Sequence, residues 1–287
     1  MYAALNRGKK SACIDLKTDA GRGHLRKLCA SADVLVEGFR PGVLARLGFS
    51  ALAEEFPRLI VCSISGFGQT GPWRDRAGHD IGYIALSGVL SRCPSLPGVQ
   101  LADLFGGGQQ AVIAVLAALV ERGRTGRGQA LDISMTDGAS GFMVQYAGGD
   151  TVEVLRGTCP CYRVYRCRGG GRFALGALEP KFWASFCRAL ERPEWIDRNF
   201  DESLTPLVDV LFAGRTRDEW DAFLRPADCC SEPVLSVEEM AAHPLFVARD
   251  LFVDGALRSL PALVPTSALK RSPAPTLGEH TREVLGS

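Results

Sequence analysis

The first half of the chain alternates short apolar runs with segments whose apolar residues recur at helical spacing. Three of these runs predict strands, because each is short, apolar and bounded by polar or glycine-rich sequence: 11–16 (SACIDL), 33–39 (DVLVEGF) and 58–68 (RLIVCSISGFG). Helices are predicted between them, over 20–32 and in the segment that begins at Pro41, since proline in a first turn is a start signal. This order of strand, helix, strand, helix and strand predicts a parallel sheet covered on both faces.

The remaining pattern predicts further helices and strands and a second, smaller domain. Helices are predicted to start near Asp80 and Asp103, and another strand covers 128–135. The segment 162–178 is predicted to form a β-hairpin with a glycine turn, and 181–247 is mainly helical. The predicted fold is therefore α/β, with a Rossmann-like large domain over 1–140 completed by 268–287, a linker at 141–162, and a small α+β domain over 163–267.

The composition is that of a globular protein without a strong charge bias. Of 287 residues, 46% are hydrophobic and 23% charged, and 33 basic against 32 acidic side chains give a formal net charge of +1. Such a balance argues against nucleic acid or an anionic membrane as the main partner. No signal-peptide pattern opens the sequence, and its longest apolar run, 111–120, is far shorter than the ~20 residues of a membrane span and is predicted to be a buried core helix. We therefore expect a cytoplasmic protein with no membrane partner.

Ten cysteines are spread irregularly along the chain and form no CxxC pair. Several lie in apolar runs, where a free thiol behaves as a small hydrophobic side chain. The cluster at 159–167 (CPCYRVYRC) is a candidate for metal binding, but no histidine lies near it in the sequence. The sequence therefore predicts reduced, structural cysteines and no metal site.

Basic residues near two predicted strands are candidates for binding an anionic ligand. Arg40 lies between the end of a strand and the next helix, where open parallel sheets bind ligands and where a helix start favours anions. Arg46 follows six residues later, and Arg7, Lys9 and Lys10 form a basic group before the first predicted strand. Such a set would suit a nucleotide with several phosphates. A solvated basic surface fits the same spacing, and no GxGxxG motif follows a strand.

Three acidic residues and a histidine occupy positions at or near predicted helix starts. His79 and Asp80 open a helix whose free N–H groups could hold an oxyanion, beside a base that titrates near neutral pH. Asp103 precedes the glycines at 106–108, which indicate close approach of another backbone or a ligand. Glu179 lies between an apolar strand and a proline, which holds it extended. A purely structural role, as a helix cap or a packing contact, is also compatible with each position.

Motifs over nearly the whole chain resemble those of the α-methylacyl-CoA racemases, within the family III CoA-transferase superfamily. The matching segments include NRGKKSACIDLK, LVEGFRPGVLARLG, SGFGQTGP, LADLFGGG, RTGRGQALDISM and LGEHTREVL. Segments such as SGFGQTGP are shared across the superfamily and indicate the fold alone. AGHD at 77–80 and GALEP at 176–180 are more specific, because the transferases generally lack that histidine.

The resemblance implies an enzyme of lipid and fatty-acid metabolism that racemises or epimerises 2-methylacyl-CoA thioesters. His79 and Asp103 would act as two bases on opposite faces of the α-carbon, one removing its proton and the other returning a proton through an enolate intermediate. The backbone N–H of Asp80 would hold the enolate oxygen. Asp80 and Glu179 would orient His79, with Glu179 supplied by the partner subunit.

The resemblance also implies how the substrate is held and how the protein assembles. Arg40 and Arg46 match positions that contact the CoA phosphates, and Arg7, Lys9 and Lys10 are further candidates. CoA is part of the substrate, so no separate cofactor is expected. Members of the family form interlocked homodimers, and we expect the same here. The first strand–helix unit of the family's sheet is expected to be missing from this chain.

Two other hypotheses remain open from the sequence. A family III CoA-transferase would use Asp103 as a nucleophile that carries an acyl or CoA adduct. A non-catalytic subunit, truncated at its N-terminus, would bind an acyl-CoA or a partner protein without catalysing a reaction.

Overall fold

The computed structural model describes residues 2–147, 153–253, 256–257 and 272–286, which belong to two compact units. Unit 1 comprises Met1–Asp150 and Arg271–Ser287, and unit 2 comprises Thr151–Lys270. The division falls inside the segment 141–162, for which the sequence predicts a linker. Helical turns lie within that segment, at Gly141–Met143, Val144–Ala147 and Glu153–Arg156.

Helices predominate over strands in the described residues. The α-helices are α1 (Tyr2–Leu5), α2 (Asp19–Ser31), α3 (Leu52–Glu55), α4 (Asp80–Leu86), α5 (Gln110–Thr125), α6 (Met135–Ser140), α7 (Val144–Ala147), α8 (Pro180–Ala189), α9 (Thr205–Ala213), α10 (Arg217–Leu224), α11 (Val237–Ala242), α12 (Pro244–Ala248) and α13 (Thr281–Leu285). π-Helical segments cover Ala45–Phe49 and Ala102–Gln109. The strands are β1 (Val34–Glu37), β2 (Ile60–Ser65), β3 (Ala130–Ser134), β4 (Tyr162–Arg166), β5 (Arg172–Gly176), β6 (Ser231–Pro233), β7 (Phe252–Val253) and β8 (Ala256–Leu257).

The sheet of unit 1 is parallel, which confirms the predicted α/β class. Its strands stand in the order β1–β2–β3, with β2 in the centre. Successive side chains of a strand point to opposite faces, and on β2 the two faces meet different helices. Val61 packs in a cluster with residues of α2 and α3, whereas Cys62 and Ile64 pack with residues of α5. Both faces of the central strand are therefore covered, as its nearly continuous apolar sequence predicts.

The prediction of a strand at 11–16 is wrong. Ser11 and Cys13 are not part of a strand; their backbone N–H groups donate instead to the side chains of His280 (3.3 Å) and Thr281 (3.0 Å). The Ser11 carbonyl accepts from the His280 N–H at 2.8 Å. Because side chains of the C-terminal segment take these backbone groups, the run stays outside the sheet ladder.

The helix predicted after Pro41 is interrupted rather than continuous. It begins as the π-helical segment Ala45–Phe49 and restarts as α3. Gly48, inside the π-helical segment, has a φ of +91°, a left-handed conformation that glycine adopts without strain. This glycine kinks the helical backbone one residue before the segment ends at Phe49.

The long helix formed by Ala102–Gln109 and α5 is not the buried core helix that the sequence predicts. One side of α5 packs onto the sheet through Ala111, Ala114 and Val115. The opposite side leaves four large apolar side chains between 55% and 70% exposed: Val112, Ile113, Leu116 and Val120. Within the described residues, Ala102–Thr125 is the one helix long and apolar enough to cross a membrane, a weak indication by itself because core helices pass the same test.

Unit 2 consists of a small antiparallel sheet and the helices packed against it. The strands stand in the order β4–β5–β6, and β4 and β5 form the predicted hairpin. Phe212 of α9 is fully buried in the core of unit 2. Its ring stacks on that of Tyr165 with the centroids 4.3 Å apart, and it meets the Trp220 ring in a tilted arrangement at 4.7 Å. The Trp183 indole, also fully buried, donates to the Trp195 carbonyl at 2.7 Å, which satisfies its polar group.

All ten cysteines are free thiols, and half of them lie in the core of unit 2. Burial raises the pKa of the Cys187 thiol to about 12 and that of Cys161 to about 11. Thiols with such pKa values are almost entirely protonated at neutral pH and therefore poor nucleophiles. In the part of the chain that the structure describes, no group of three or more His, Cys, Asp or Glu side chains could hold a metal ion.

Candidate active site

His79 is the residue that precedes the first turn of α4. Its backbone is extended, and its carbonyl accepts from the N–H groups of Gly82 (2.8 Å) and Tyr83 (3.2 Å). The imidazole makes no capping hydrogen bond and is exposed, so it is not used to close the helix end. Among the described residues, the N–H of Asp80 has no acceptor. The helix start thus leaves a free imidazole beside a free backbone donor.

Asp103 lies against this helix start although it is 23 residues further along the chain. Its backbone N–H donates to Oδ1 of Asp80 at 2.9 Å, which ties the first turn of the π-helical segment to the first residue of α4. The side chain of Gln100 donates to Oδ2 of Asp103 at 2.7 Å. The structure therefore brings His79, Asp80 and Asp103 together, and it adds Gln100, which the sequence analysis did not single out.

The pKa of the Asp103 carboxyl is raised above its ordinary value. Burial of the carboxyl is the main cause, the nearby Asp80 carboxylate adds to it, and His79 opposes it. A carboxyl with a raised pKa holds a proton more readily and is a better general acid at neutral pH. Such perturbation is typical of catalytic groups.

The glycines after Asp103 allow two backbones to approach closely. A Cβ on Gly106 would lie 2.4 Å from the carbonyl oxygen of Met135, and one on Gly138 would lie 2.1 Å from the carbonyl oxygen of Gly106. The close neighbour of Gly106 is therefore α6. Of the alternatives left open by the sequence, Gly106 fits a packing contact between backbones, and this contact fixes the position of the turn that carries Asp103.

A cavity of about 450 Å³ opens beside His79, at the carboxyl ends of β1 and β2. Its lining includes His79, Arg40, Ser65 and Tyr83. The Ser65 hydroxyl is buried and has no hydrogen-bond partner among the described residues, which leaves a polar group available to a ligand. The crevice beyond the strand ends is where open parallel sheets bind their ligands.

Arginines surround this cavity, including two that the sequence analysis did not single out. Arg74 and Arg76 line it together with Arg40. The Arg76 guanidinium stacks 3.9 Å above the Trp73 ring, which holds it in place. A Cβ on Gly42 would lie 3.3 Å from both the Arg46 and Arg74 guanidinium groups, so these two cations flank the same turn. The sequence could have indicated Arg74 and Arg76 as candidates, since they lie just before the AGHD motif.

The other sequence candidates are not among the residues that line this cavity. Lys10 forms an ion pair with Glu283, Lys9 donates to the side chain of Asn6 at 3.0 Å, and the half-buried Arg7 is not part of the cavity lining. Glu179 belongs to unit 2, where its backbone begins α8 and its side chain is exposed.

A parallel sheet with a histidine, two carboxylates and an arginine-lined cavity at its strand ends is the arrangement of an α/β enzyme with a basic cleft. Residues 1–281 match the model of the CoA-transferase family III. The chain belongs to this family.

Proteins similar to this chain include racemases and CoA-transferases. The chain is 39% identical to α-methylacyl-CoA racemase of Mus musculus, over 98% of this chain and 81% of the racemase. It is 26% identical to succinyl-CoA:glutarate CoA-transferase of Homo sapiens, over 99% of this chain and 72% of that enzyme. Among solved structures, a CaiB/BaiF family protein from Brucella suis superposes with a TM-score of 0.83 at 28% identity, covering 99% of this chain and 83% of that one. The family III CoA-transferase fold is thereby confirmed.

Proposed function

We propose that this enzyme racemises or epimerises 2-methylacyl-CoA thioesters by moving the proton on the α-carbon. The observation that carries this proposal is the contact network that joins Asp103 to Asp80, next to the free imidazole of His79. A general acid and a general base are what a proton exchange at carbon needs. The 39% identity to a mouse racemase supports the same reaction.

In the proposed mechanism, His79 and Asp103 face opposite sides of the substrate α-carbon. One of them, unprotonated, takes the α-proton, and the C–H electron pair moves onto the thioester as an enolate. The other, protonated, gives its proton to the opposite face, so that the protons balance and the configuration inverts. The Asp80 N–H would donate to the enolate oxygen, since it has no acceptor among the described residues.

The arginines would bind the CoA part of the substrate. Arg40, Arg74 and Arg76 line the cavity beside His79, and Arg46 flanks the same turn. Guanidinium groups suit phosphate because they donate two parallel hydrogen bonds. CoA arrives and leaves as part of the substrate, so the reaction as proposed uses no further cofactor. Lys10 is a weaker candidate than the sequence analysis made it, because it is already paired with Glu283.

A homodimer is part of this proposal. The four apolar side chains on the outer side of α5 form a surface of the kind that subunit interfaces cover. Glu179 of the partner subunit would orient His79, because a carboxylate beside an imidazole favours the protonated ring. We place the dimer in the cytoplasm, in the metabolism of branched acyl thioesters.

The test is incubation of the purified enzyme with a single enantiomer of a 2-methylacyl-CoA in heavy water. We expect α-deuteration together with inversion, and loss of both in His79→Gln and Asp103→Asn. Trp73→Phe keeps an aromatic face under Arg76 and serves as the matched variant at the cavity rim. A folded, dimeric wild-type enzyme that exchanges no α-proton over a panel of 2-methylacyl thioesters would exclude the proposed reaction.

CoA transfer is the second candidate, because relatives at lower identity carry that activity and Asp103 is a carboxylate that could attack a thioester. A transferase would pass through an anhydride or thioester on Asp103, whereas the proposed racemase forms no adduct. Hydroxylamine trapping followed by mass spectrometry distinguishes the two reactions. An adduct on wild-type enzyme that is absent from Asp103→Ala would favour transfer over racemisation.

A further inference from the structure

The side chain of Gln100 holds one oxygen of the Asp103 carboxylate. Its amide Nε2 donates to Oδ2 of Asp103 at 2.7 Å, a length typical of a strong hydrogen bond to a charged group. No described residue donates to the other oxygen, Oδ1. The carboxylate is therefore anchored on one side and open on the other.

A tight turn delivers Gln100 to this position. Pro97 and Gly98 lie three and two residues before Gln100, and Gly98 has a φ of +76°, a left-handed conformation that favours glycine. The chain then enters the π-helical segment at Ala102, one residue before Asp103. The backbone of the acceptor is held by the contact of Asp103 N–H with Asp80, and the donor follows the bend at Gly98.

We propose that Gln100 is a positioning residue, which keeps Asp103 ionised and turns its Oδ1 toward the substrate. This inference rests on the proposed role of Asp103 as a catalytic base. A hydrogen bond to the charged form of a carboxyl stabilises that form. Burial and the neighbouring Asp80 carboxylate raise the pKa of Asp103. The proposed effect of Gln100 has the opposite sign and rests on the geometry of its hydrogen bond to Oδ2.

Other titratable groups lie on neighbouring elements and must be left unchanged in a test. They come from the elements packed against the π-helical segment: His79, Asp80 and Tyr83 from the start of α4, Asp137 from α6 and Asp132 from β3. Asp132 is occupied, because its carboxylate accepts from the Gln69 N–H at 2.9 and 3.0 Å. None of these groups changes in the variants below.

The experiment measures the pKa of Asp103 in two independent ways in Gln100→Leu, which keeps a similar size but removes the donor. One readout is the acid limb of the pH profile of kcat/KM for α-proton exchange. The other is a ¹³C NMR titration of labelled aspartate carboxyls, assigned with Asp103→Asn, which needs no turnover. We expect both to move upward by about half a unit to one unit. Gln100→Glu should move them further up, because it places a second carboxylate beside Asp103.

Gln129→Leu is the matched control, the same change on an exposed glutamine just before β3. It should leave the Asp103 titration unchanged. If Gln100→Leu titrates like the wild type, the proposed role of Gln100 is wrong even when the enzyme exchanges the α-proton. If the pKa from NMR is higher in Gln100→Leu but the wild type exchanges no α-proton, the role of the Gln100–Asp103 hydrogen bond is supported and the proposed racemase reaction is excluded. A folded Gln100→Leu with lower kcat and no movement of either pKa would show a merely structural role and overturn the proposal.

Discussion

Replacement of Gly138 by alanine should destabilise unit 1, because two backbones meet at this glycine. The added Cβ would lie 2.1 Å from the carbonyl oxygen of Gly106 and 2.5 Å from its Cα. Ordinary van der Waals contact begins at 3.4 Å, so α6 would have to move by about 1.3 Å. Neither atom belongs to a flexible side chain that could turn away.

The size of the effect follows from this overlap. Overpacking of a close-packed interior costs about 1–3 kcal/mol, and a backbone clash lies at the upper end. We expect Gly138→Ala to lower the free energy of unfolding by about 3 kcal/mol and the melting temperature by about 6–12 °C. The turn that carries Asp103 would shift with Gly106, and a displacement of about 1 Å in a catalytic group can reduce the rate about 100-fold.

Urea unfolding followed by circular dichroism, together with the α-proton exchange assay, would measure both effects. Gly123→Ala in α5 is the control, because no heavy atom lies within 4 Å of its added Cβ. In a helix this change should stabilise by about 0.5–1 kcal/mol. The reasoning is refuted if Gly138→Ala is as stable as the wild type while Gly123→Ala behaves as expected.

Substitutions at three further positions test other parts of the molecule. Phe212→Ala should cost about 3–5 kcal/mol of unfolding free energy, because the ring is fully buried in the aromatic core of unit 2; Phe212→Leu, measured by the same urea titration, should cost less. The Arg217 guanidinium lowers the pKa of Glu239 to about 2, so this pair stabilises the fold above about pH 4.5 and the stabilisation is lost as the pH falls toward 2. Glu239→Gln should therefore melt below the wild type at pH 7, and the difference should narrow between pH 4.5 and 2; a constant difference would contradict the role of the ion pair. Arg40→Ala should raise KM about tenfold with little change in kcat, because it removes a contact made equally in ground and transition states, and an unchanged KM would remove it from the CoA site.

The local pattern of hydrophobic residues predicted most strands of the sheet in unit 1. It failed where the backbone forms hydrogen bonds with residues far along the chain. The run at 58–68 became β2, since its apolar residues and flanking signals are all local. The run at 11–16 has the same local pattern, but its backbone groups are taken by His280 and Thr281, about 270 residues away. A short stretch of sequence around residues 11–16 gives no sign of these distant hydrogen-bond partners.

The sequence predicted which residues form the site, but it did not predict the hydrogen bonds between them. His79, Asp80 and Asp103 came from helix starts and from resemblance, and the structure brings them together. Gln100 was missed because an amide carries no acid–base signal of its own; it matters only through the carboxylate that it touches. The prediction that α5 is fully buried was wrong for a related reason. An apolar helix face indicates burial, but it does not show whether residues of the same chain pack against it.

The hydrogen bonds between residues 11–13 and 278–281 set a limit on how this protein can be made. Gly278 donates to the Ser11 hydroxyl at 3.0 Å, a contact between residues 267 positions apart. At about 5–20 residues per second, a ribosome needs roughly 13–53 s to synthesise the intervening chain. Unit 2 lies wholly within that interval. The N-terminal part of unit 1 can therefore complete these contacts only after residues 278–281 have been synthesised, which is later than all of unit 2.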